Sequence, residues 1–287
     1  MKIIEIDNSN NTALTFIKGL TTKRSGDLKS YPKIVVRSSS FDFDQKKVDY
    51  FAKLAGFKSD SKILPSIYIH LIGFKLQMEL IFHEDFPFPA MGMVNISNKA
   101  IQLRPFTLNE IKKVECYLEE PKEHSRGFVY TVVSKVYDEN NIIISENYAK
   151  QLKILKKSEN NSSAKKEFKA IEGNEREFSY YANSGRSFSK VSGDINPIHL
   201  FALTAKLFGF KKQIAHGMFS SSRILAQLEK ETPLLNSFEF YTEYKQPIFL
   251  PSKSKFITQK KADNEIAFEL VNSEKKKPHV VGYFNFK

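Results

Sequence analysis

The sequence predicts an α+β chain of two tandem units, each a long helix wrapped by an antiparallel sheet. Three observations predict it. Two stretches of helical length, 67–82 and 217–230, are each followed by a series of short β-rich runs. A polar stretch with almost nothing to bury, 158–163 (SENNSS), separates the two series and is flanked by paired lysines. The segment before each long helix also overlays on its counterpart, 51–57 (FAKLAGF) on 188–194 (FSKVSGD). The expected division is an N-terminal half over 1–155, a linker over 156–172 and a C-terminal half over 173–287.

Taken in order, residues 1–30 are polar and carry no clear period. Ile34, Val35 and Val36 make a short strand. Residues 44–57 read as a helix, with Val48, Phe51, Ala52, Leu54 and Ala55 on one side and Gly56 at its end. After Leu64-Pro65 comes the most apolar helix, 67–82, in which Leu71, Phe74, Met78, Ile81 and Phe82 share a face. Phe86-Pro87-Phe88-Pro89 breaks that pattern and leads to a strand over 91–94. Strands follow at 111–118 and 128–137, the latter with Phe128, Tyr130, Val132 and Val136 on one face. The Asp138-Glu139-Asn140-Asn141 turn then returns the chain through 142–148, which is a hairpin signal. In the second half, 217–230 is the long helix, with Met218, Leu225 and Leu228 inward and Ser220, Ser221 and Ser222 small enough for a sheet to approach; Thr232-Pro233 stops it. Strands are expected at 238–244, 248–250, 255–259, 266–271 and 280–286.

Length and composition set the outer bounds. The 287 residues suffice for one large domain or two ordinary ones, and 41% hydrophobic with 26% charged residues is a globular composition. The single cysteine, Cys116, excludes an intrachain disulfide framework and reads as a small buried hydrophobe. Residues 1–10 carry Lys2, Glu5 and Asp7 without an apolar core, and the richest apolar run is broken by His70, Lys75 and Glu79. A cytoplasmic chain that uses no membrane is therefore expected. The net charge of +12 is scattered, without a nucleic-acid motif or interleaved aromatics, so nucleic acid is not an expected partner and most lysines are solvated faces.

The chemistry concentrates in 181–218. Ser192-Gly193-Asp194-Ile195-Asn196-Pro197-Ile198-His199 sets a carboxylate and an imidazole five residues apart around a helix start. Asn196 is an N-cap and Pro197 fits N1, where the missing N–H costs nothing. Ile198, Phe201, Ala202, Ala205 and Phe208 continue at helical spacing, with Gly209 just past the end. His199 then lies in a first turn, where the helix dipole favours neutral imidazole, and Asp194 lies in the loop before it. That arrangement suits two groups sharing one water. Ile214-Ala215-His216-Gly217-Met218 opens the next helix; His216 is expected to bond nearby backbone and shape the turn.

These residues resemble the MaoC-like (R)-specific enoyl-CoA hydratases and 3-hydroxyacyl-thioester dehydratases, through Y-x-x-x-SGDxNPIHL, an A-K-L-F-G-F helix end and I-A-H-G-M. Gly185-Arg186 and the Phe-Pro-Phe-Pro-Ala-Met-Gly-Met-Val run are similar to their two-hotdog members, which often carry histidine where this chain has Asn95. The resemblance implies a double hotdog whose first half is degenerate: Phe57 stands where the second copy has Asp194, and the N-P-x-x-H turn is absent. It implies reversible hydration of trans-2-enoyl thioesters of coenzyme A or acyl carrier protein to (R)-3-hydroxyacyl thioesters. Asp194 and His199 would hold the water and move its protons, the Gly217 backbone N–H would bond the thioester oxygen, and glycine there would leave the thioester room. No cofactor is implied. A metal held by Asp194, His199 and His216 is geometrically conceivable but not implied by the family. Relatives often form homodimers. Arg186 is expected to pair with an acid in the fold or to touch a phosphate. A hotdog thioesterase and a non-catalytic acyl-binding subunit remain as alternatives.

Overall fold

The computed structural model describes residues 2–6, 26–41, 43–58, 63–65, 67–88, 93–155, 168–232 and 236–287. Its contacts divide it into two compact units, Met1–Asp44 with Lys62–Ser163 and Gln45–Ser61 with Ala164–Lys287. The units differ from the expected halves by one segment, Gln45–Ser61, which clusters with the second unit. Residues 156–167 of the expected linker lie outside the described residues.

In the first unit the strands are β1 (Lys2–Glu5), β2 (Ile34–Ser38), β3 (Met93–Gln102), β4 (Lys113–Leu118), β5 (Lys122–His124), β6 (Gly127–Tyr137) and β7 (Ile143–Ile154). They lie in the order β1-β2-β4-β6-β7-β3, with β5 beside β6, and every pairing is antiparallel except β1 with β2. Across this sheet lies the long helix α2 (Tyr68–Phe82), which touches β2, β4, β6 and β7 and follows the shorter α1 (Gln45–Ala55) in the chain. Buried residues occur all round α2, including Ile69, Ile72, Leu76, Leu80 and Ile81, rather than on the single expected face. A helix apolar on every side belongs inside a core. Gln77, buried on this helix, is satisfied there: its Nε2 donates to Ser134 Oγ at 3.2 Å, and Cys116 Sγ of β4 lies 3.1 Å from the same oxygen. Burial pushes the Cys116 thiol up to about 12, so the cysteine is the small hydrophobe expected. Two elements that the sequence did not announce are β1 and β5, each too short for a readable alternation. The strand expected over 91–94 runs instead from Met93 to Gln102, and residues 91–92 lie outside the described ones.

The second unit contains β8 (Asn174–Tyr180), α3 (Ser184–Ser192), two short helices α4 (Pro197–Leu200) and α5 (Ala202–Leu207), the long α6 (Gly217–Glu231), and strands β9 (Phe238–Tyr244), β10 (Ser252–Ala262), β11 (Glu265–Asn272) and β12 (Pro278–Phe286). The strands form an antiparallel sheet in the order β9-β12-β11-β10-β8. The run expected as a strand at 248–250 contributes only an isolated bridge, Phe249 to Ile214. Helix α6 buries Met218, Leu225 and Leu228 as expected, and its serines bond the sheet closely. Tyr180 Oη donates to Ser220 Oγ at 3.1 Å, and Ser221 Oγ lies 2.8 Å from Tyr244 Oη. Among the described residues no helix is long and apolar enough to cross a membrane.

Helices α1 and α3 pack against each other within this unit. Each ends on a left-handed glycine, Gly56 at φ +94° and Gly193 at φ +72°, a conformation that other residues adopt only with strain. Phe51 and Phe188, the paired positions of the sequence overlay, sit with ring centroids 6.5 Å apart, and both are fully buried.

Candidate active site

Helix α3 delivers the acid. Its end at Gly193 turns the chain so that Asp194 begins a short loop; Asp194 N–H donates to Ser192 Oγ at 3.1 Å, and Asp194 Oδ1 accepts from Asn196 N–H at 3.0 Å. Asn196 then caps α4 through its side-chain oxygen, which accepts from Ile198 N–H at 3.4 Å, with Pro197 at the first helical position. The helix expected to run on to Phe208 is broken at Phe201, whose backbone is extended. Arg186 explains the break: its Nη1 donates to the Leu200 carbonyl at 2.8 Å and its guanidinium stacks on the Phe201 ring at 4.9 Å. An acceptor on α4 is thereby turned toward α3, and among the described residues Arg186 bonds this carbonyl rather than the acid expected of it.

His199 is buried between these elements. Its Nδ1 lies 2.9 Å from the Ile214 carbonyl. A carbonyl can only accept, so Nδ1 carries the proton and Nε2 keeps its lone pair. Burial holds the imidazole below its ordinary pKa despite the opposing pull of the Asp194 carboxylate, and it is neutral near pH 7. A carboxylate oxygen of Asp194 and a ring nitrogen each of His199 and His216 all lie within 4.8 Å of one another. A water bonded to two groups at about 2.8 Å each spans about 4.5 Å, so groups within 4.8 Å of one another are within reach of a single bridging water.

His216 forms the floor. Its ring stacks on His199 with centroids 3.7 Å apart and planes at 28°. Nε2 lies 3.2 Å from the Asp194 backbone carbonyl and 3.7 Å from Asp194 Oδ2, so Nε2 is the protonated nitrogen. The bond to backbone is the one expected from the sequence. Nδ1 of His216 is buried with no hydrogen-bond partner among the described residues. Burial, reinforced by the neighbouring His199, pushes the His216 pKa down to about 3. Two imidazoles stacked face to face keep their in-plane lone pairs in separate, nearly parallel planes, whereas metal ligands must converge on one ion. The triad therefore fits proton chemistry better than a tetrahedral metal.

Gly217 opens α6, in the first turn, where backbone N–H groups have no intrahelical acceptor. The preceding residues are pinned: Ile214 N–H donates to Ile198 O at 3.0 Å, and Ala215 N–H to Ile248 O at 2.8 Å. A Cβ at Gly217 would lie 2.8 Å from Cε1 of Tyr244, so the glycine makes room for that ring. The space the sequence reading gave to the thioester is in part occupied by Tyr244.

Two further residues of the site, Ser189 and Tyr244, escaped sequence reasoning, as did the contact that Gly185 makes. Ser189 Oγ reaches the Asp194 carbonyl at 2.6 Å. At Gly185 a Cβ would lie 2.0 Å from the His199 carbonyl oxygen, so α3 and α4 touch backbone to backbone. Tyr244 arrives from β9, far along the chain, and nothing local marks it. The Ser189 and Gly185 positions follow from helical register only once α3 is placed against α4.

Compared with known proteins, residues 165–282 match the family described as MaoC like domain. The chain is 28% identical over 223 residues to 3-hydroxyacyl-thioester dehydratase X of Mycobacterium tuberculosis, covering 77% of this chain and 78% of that protein. The crystal structure of HtdX from Mycobacterium tuberculosis superposes with a TM-score of 0.75 at 25% identity, over 88% of this chain and 100% of that one. A MaoC-like dehydratase from Phytophthora capsici matches in fold, with a TM-score of 0.67 at 15% identity over 95% of this chain and 98% of that one. The fold is the α+β double hotdog that the sequence predicts.

Proposed function

We propose, from the premise that the chain carries a MaoC-like dehydratase domain, that it reversibly hydrates trans-2-enoyl thioesters to (R)-3-hydroxyacyl thioesters. The observation that carries this is the His199 tautomer: Nδ1–H is committed to the Ile214 carbonyl, which leaves Nε2 as the ring's proton acceptor, and a ring nitrogen of His199 lies within 4.8 Å of an Asp194 carboxylate oxygen. A water held between them attacks C3 of the enoyl group while one of its protons passes to Nε2. The imidazolium so formed is paired with Asp194 and gives that proton to C2. Water has then been added across the double bond, hydroxyl at C3 and hydrogen at C2, and the pair returns to its starting state. Charge that builds on the thioester oxygen meets the Gly217 N–H at the positive end of α6. The relative 3-hydroxyacyl-thioester dehydratase X, by its name, acts on this class of substrate.

The deciding experiment follows loss of enoyl absorbance with crotonyl-CoA and longer trans-2-enoyl-CoAs, with chiral analysis of the product. Formation of the (R)-3-hydroxyacyl thioester supports the proposal; free thiol release without hydration would replace it with a thioesterase.

A further inference from the structure

The chain between the two catalytic turns makes an excursion of unusual surface chemistry. It leaves at His199 and returns at Ile214, and the Ile214 N–H to Ile198 carbonyl bond closes its neck. Both ends are thus tied to the catalytic imidazole, one by the chain and one by the carbonyl that Nδ1 bonds. Between them lies FALTAKLFGFKK, residues 201–212. Leu203 and Leu207, one helical turn apart on α5, are 74% and 79% exposed, and Phe201 and Phe208 flank them at 52% and 39%. Lys206, Lys211 and Lys212 are exposed beside them, and none pairs with a carboxylate among the described residues. No acidic residue occurs in 195–228.

The excursion is built rather than loose. Thr204 Oγ1 donates to the Pro197 carbonyl at 2.7 Å, Ala205 is fully buried beneath the exposed leucines, and α5 closes on Gly209 at φ +83°. A fixed apolar platform ringed by unpaired cations costs little ordering when a partner covers it.

We propose that this platform docks an acidic acyl carrier protein, so that the thioester reaches Asp194 and His199 on a protein carrier; this rests on the hydratase reading above. Coenzyme A offers phosphates to the lysines but nothing that covers two exposed leucines and two phenylalanines. An acidic helical protein with apolar contact residues matches both features, positive charge and apolar area, in one surface.

The test uses the full chain and two probes, crotonyl-CoA and crotonyl thioester on the acyl carrier protein of a bacterial type II fatty acid synthase, with wild type and the double variant Leu203→Ser, Leu207→Ser. The expected result is a KM for the carrier thioester raised about tenfold or more in the variant, with the CoA reaction within about twofold. Direct binding of the unacylated holo carrier, read by fluorescence anisotropy, should weaken in parallel and fall steeply with added salt. Equal effects on both substrates, or no measurable binding of the carrier, overturns the docking proposal while leaving hydration of CoA thioesters standing. Carrier binding without turnover of either thioester would overturn the hydratase reading and leave the docking surface. Binding to anionic phospholipid vesicles, or self-association, that is abolished by the leucine variant in place of carrier binding would assign the platform to a membrane or to a second copy of the chain.

Discussion

Helices α1 and α3 are the same device used twice, with different outcomes. Both end on a left-handed glycine, and their matching phenylalanines, Phe51 and Phe188, meet in one core. After Gly193 comes Asp194, a quarter exposed and held by the Asn196 N–H. After Gly56 comes Phe57, buried 5.8 Å from the Phe51 ring. The scaffold that aims a residue is therefore separable from the chemistry of the residue it aims. In the proposed mechanism, what turns aim into a site is the following N-P-x-x-H turn, which only the second copy has.

The sharpest test of that difference removes the chemistry alone. Asp194→Asn and His199→Ala are each expected to lower the hydration rate by about a hundredfold to ten-thousandfold while circular dichroism and melting stay near wild type. A rate within tenfold of wild type for either variant would reassign the acid–base pair. The complementary test removes the shared scaffold. Phe51→Ala opens the fully buried contact with Phe188 and should cost about 3–5 kcal/mol in denaturant unfolding. Phe57→Asp should also destabilise, since a buried carboxylate there has no caps, and should add no activity; a gain in rate would break the comparison.

Gly217→Ala pushes a methyl into the Tyr244 ring, with an expected loss of about 1–3 kcal/mol of stability and a fall in kcat of about tenfold to a hundredfold as the α6 start shifts. Tyr244→Leu in the same background should recover part of both. A smaller effect is expected from pH. His216 titrates near pH 3 in the folded chain and near its ordinary value of about 6.5 when unfolded, so between those values the unfolded state binds more protons. Stability is full above about pH 6.5 and is lost as pH falls toward 3. Urea midpoints at pH 7.5 and pH 5 should show that drop in wild type and a shallower one in His216→Asn.

Much of this was legible because local chemistry decided it. Asn196, Pro197, Gly56 and Gly209 each impose a backbone geometry on their own, and the fold follows them. The long helices were legible from length and composition, though α2 is buried on all sides rather than one because its apolar content leaves no polar face to expose. What was not legible depends on groups distant in sequence. The break at Phe201 follows from Arg186 taking the Leu200 carbonyl, and the crowding at Gly217 follows from a tyrosine on β9. The placement of Gln45–Ser61 with the second unit is likewise a tertiary choice, invisible to a period count. The tautomer of His199, which orders the proposed mechanism, depends on a carbonyl fifteen residues away.

Gly185 lies where α3 meets the backbone of His199 with nothing between them. The acid is carried on the end of one helix and the base on the start of the other, so the seam between the helices acts as a spacer gauge for the pair. Its thickness is that of a hydrogen atom. A methyl at this position would wedge the seam open and lengthen the path a proton must cross, without altering either group that moves it. The reach of the proposed proton relay is thus calibrated by a residue that has no side chain.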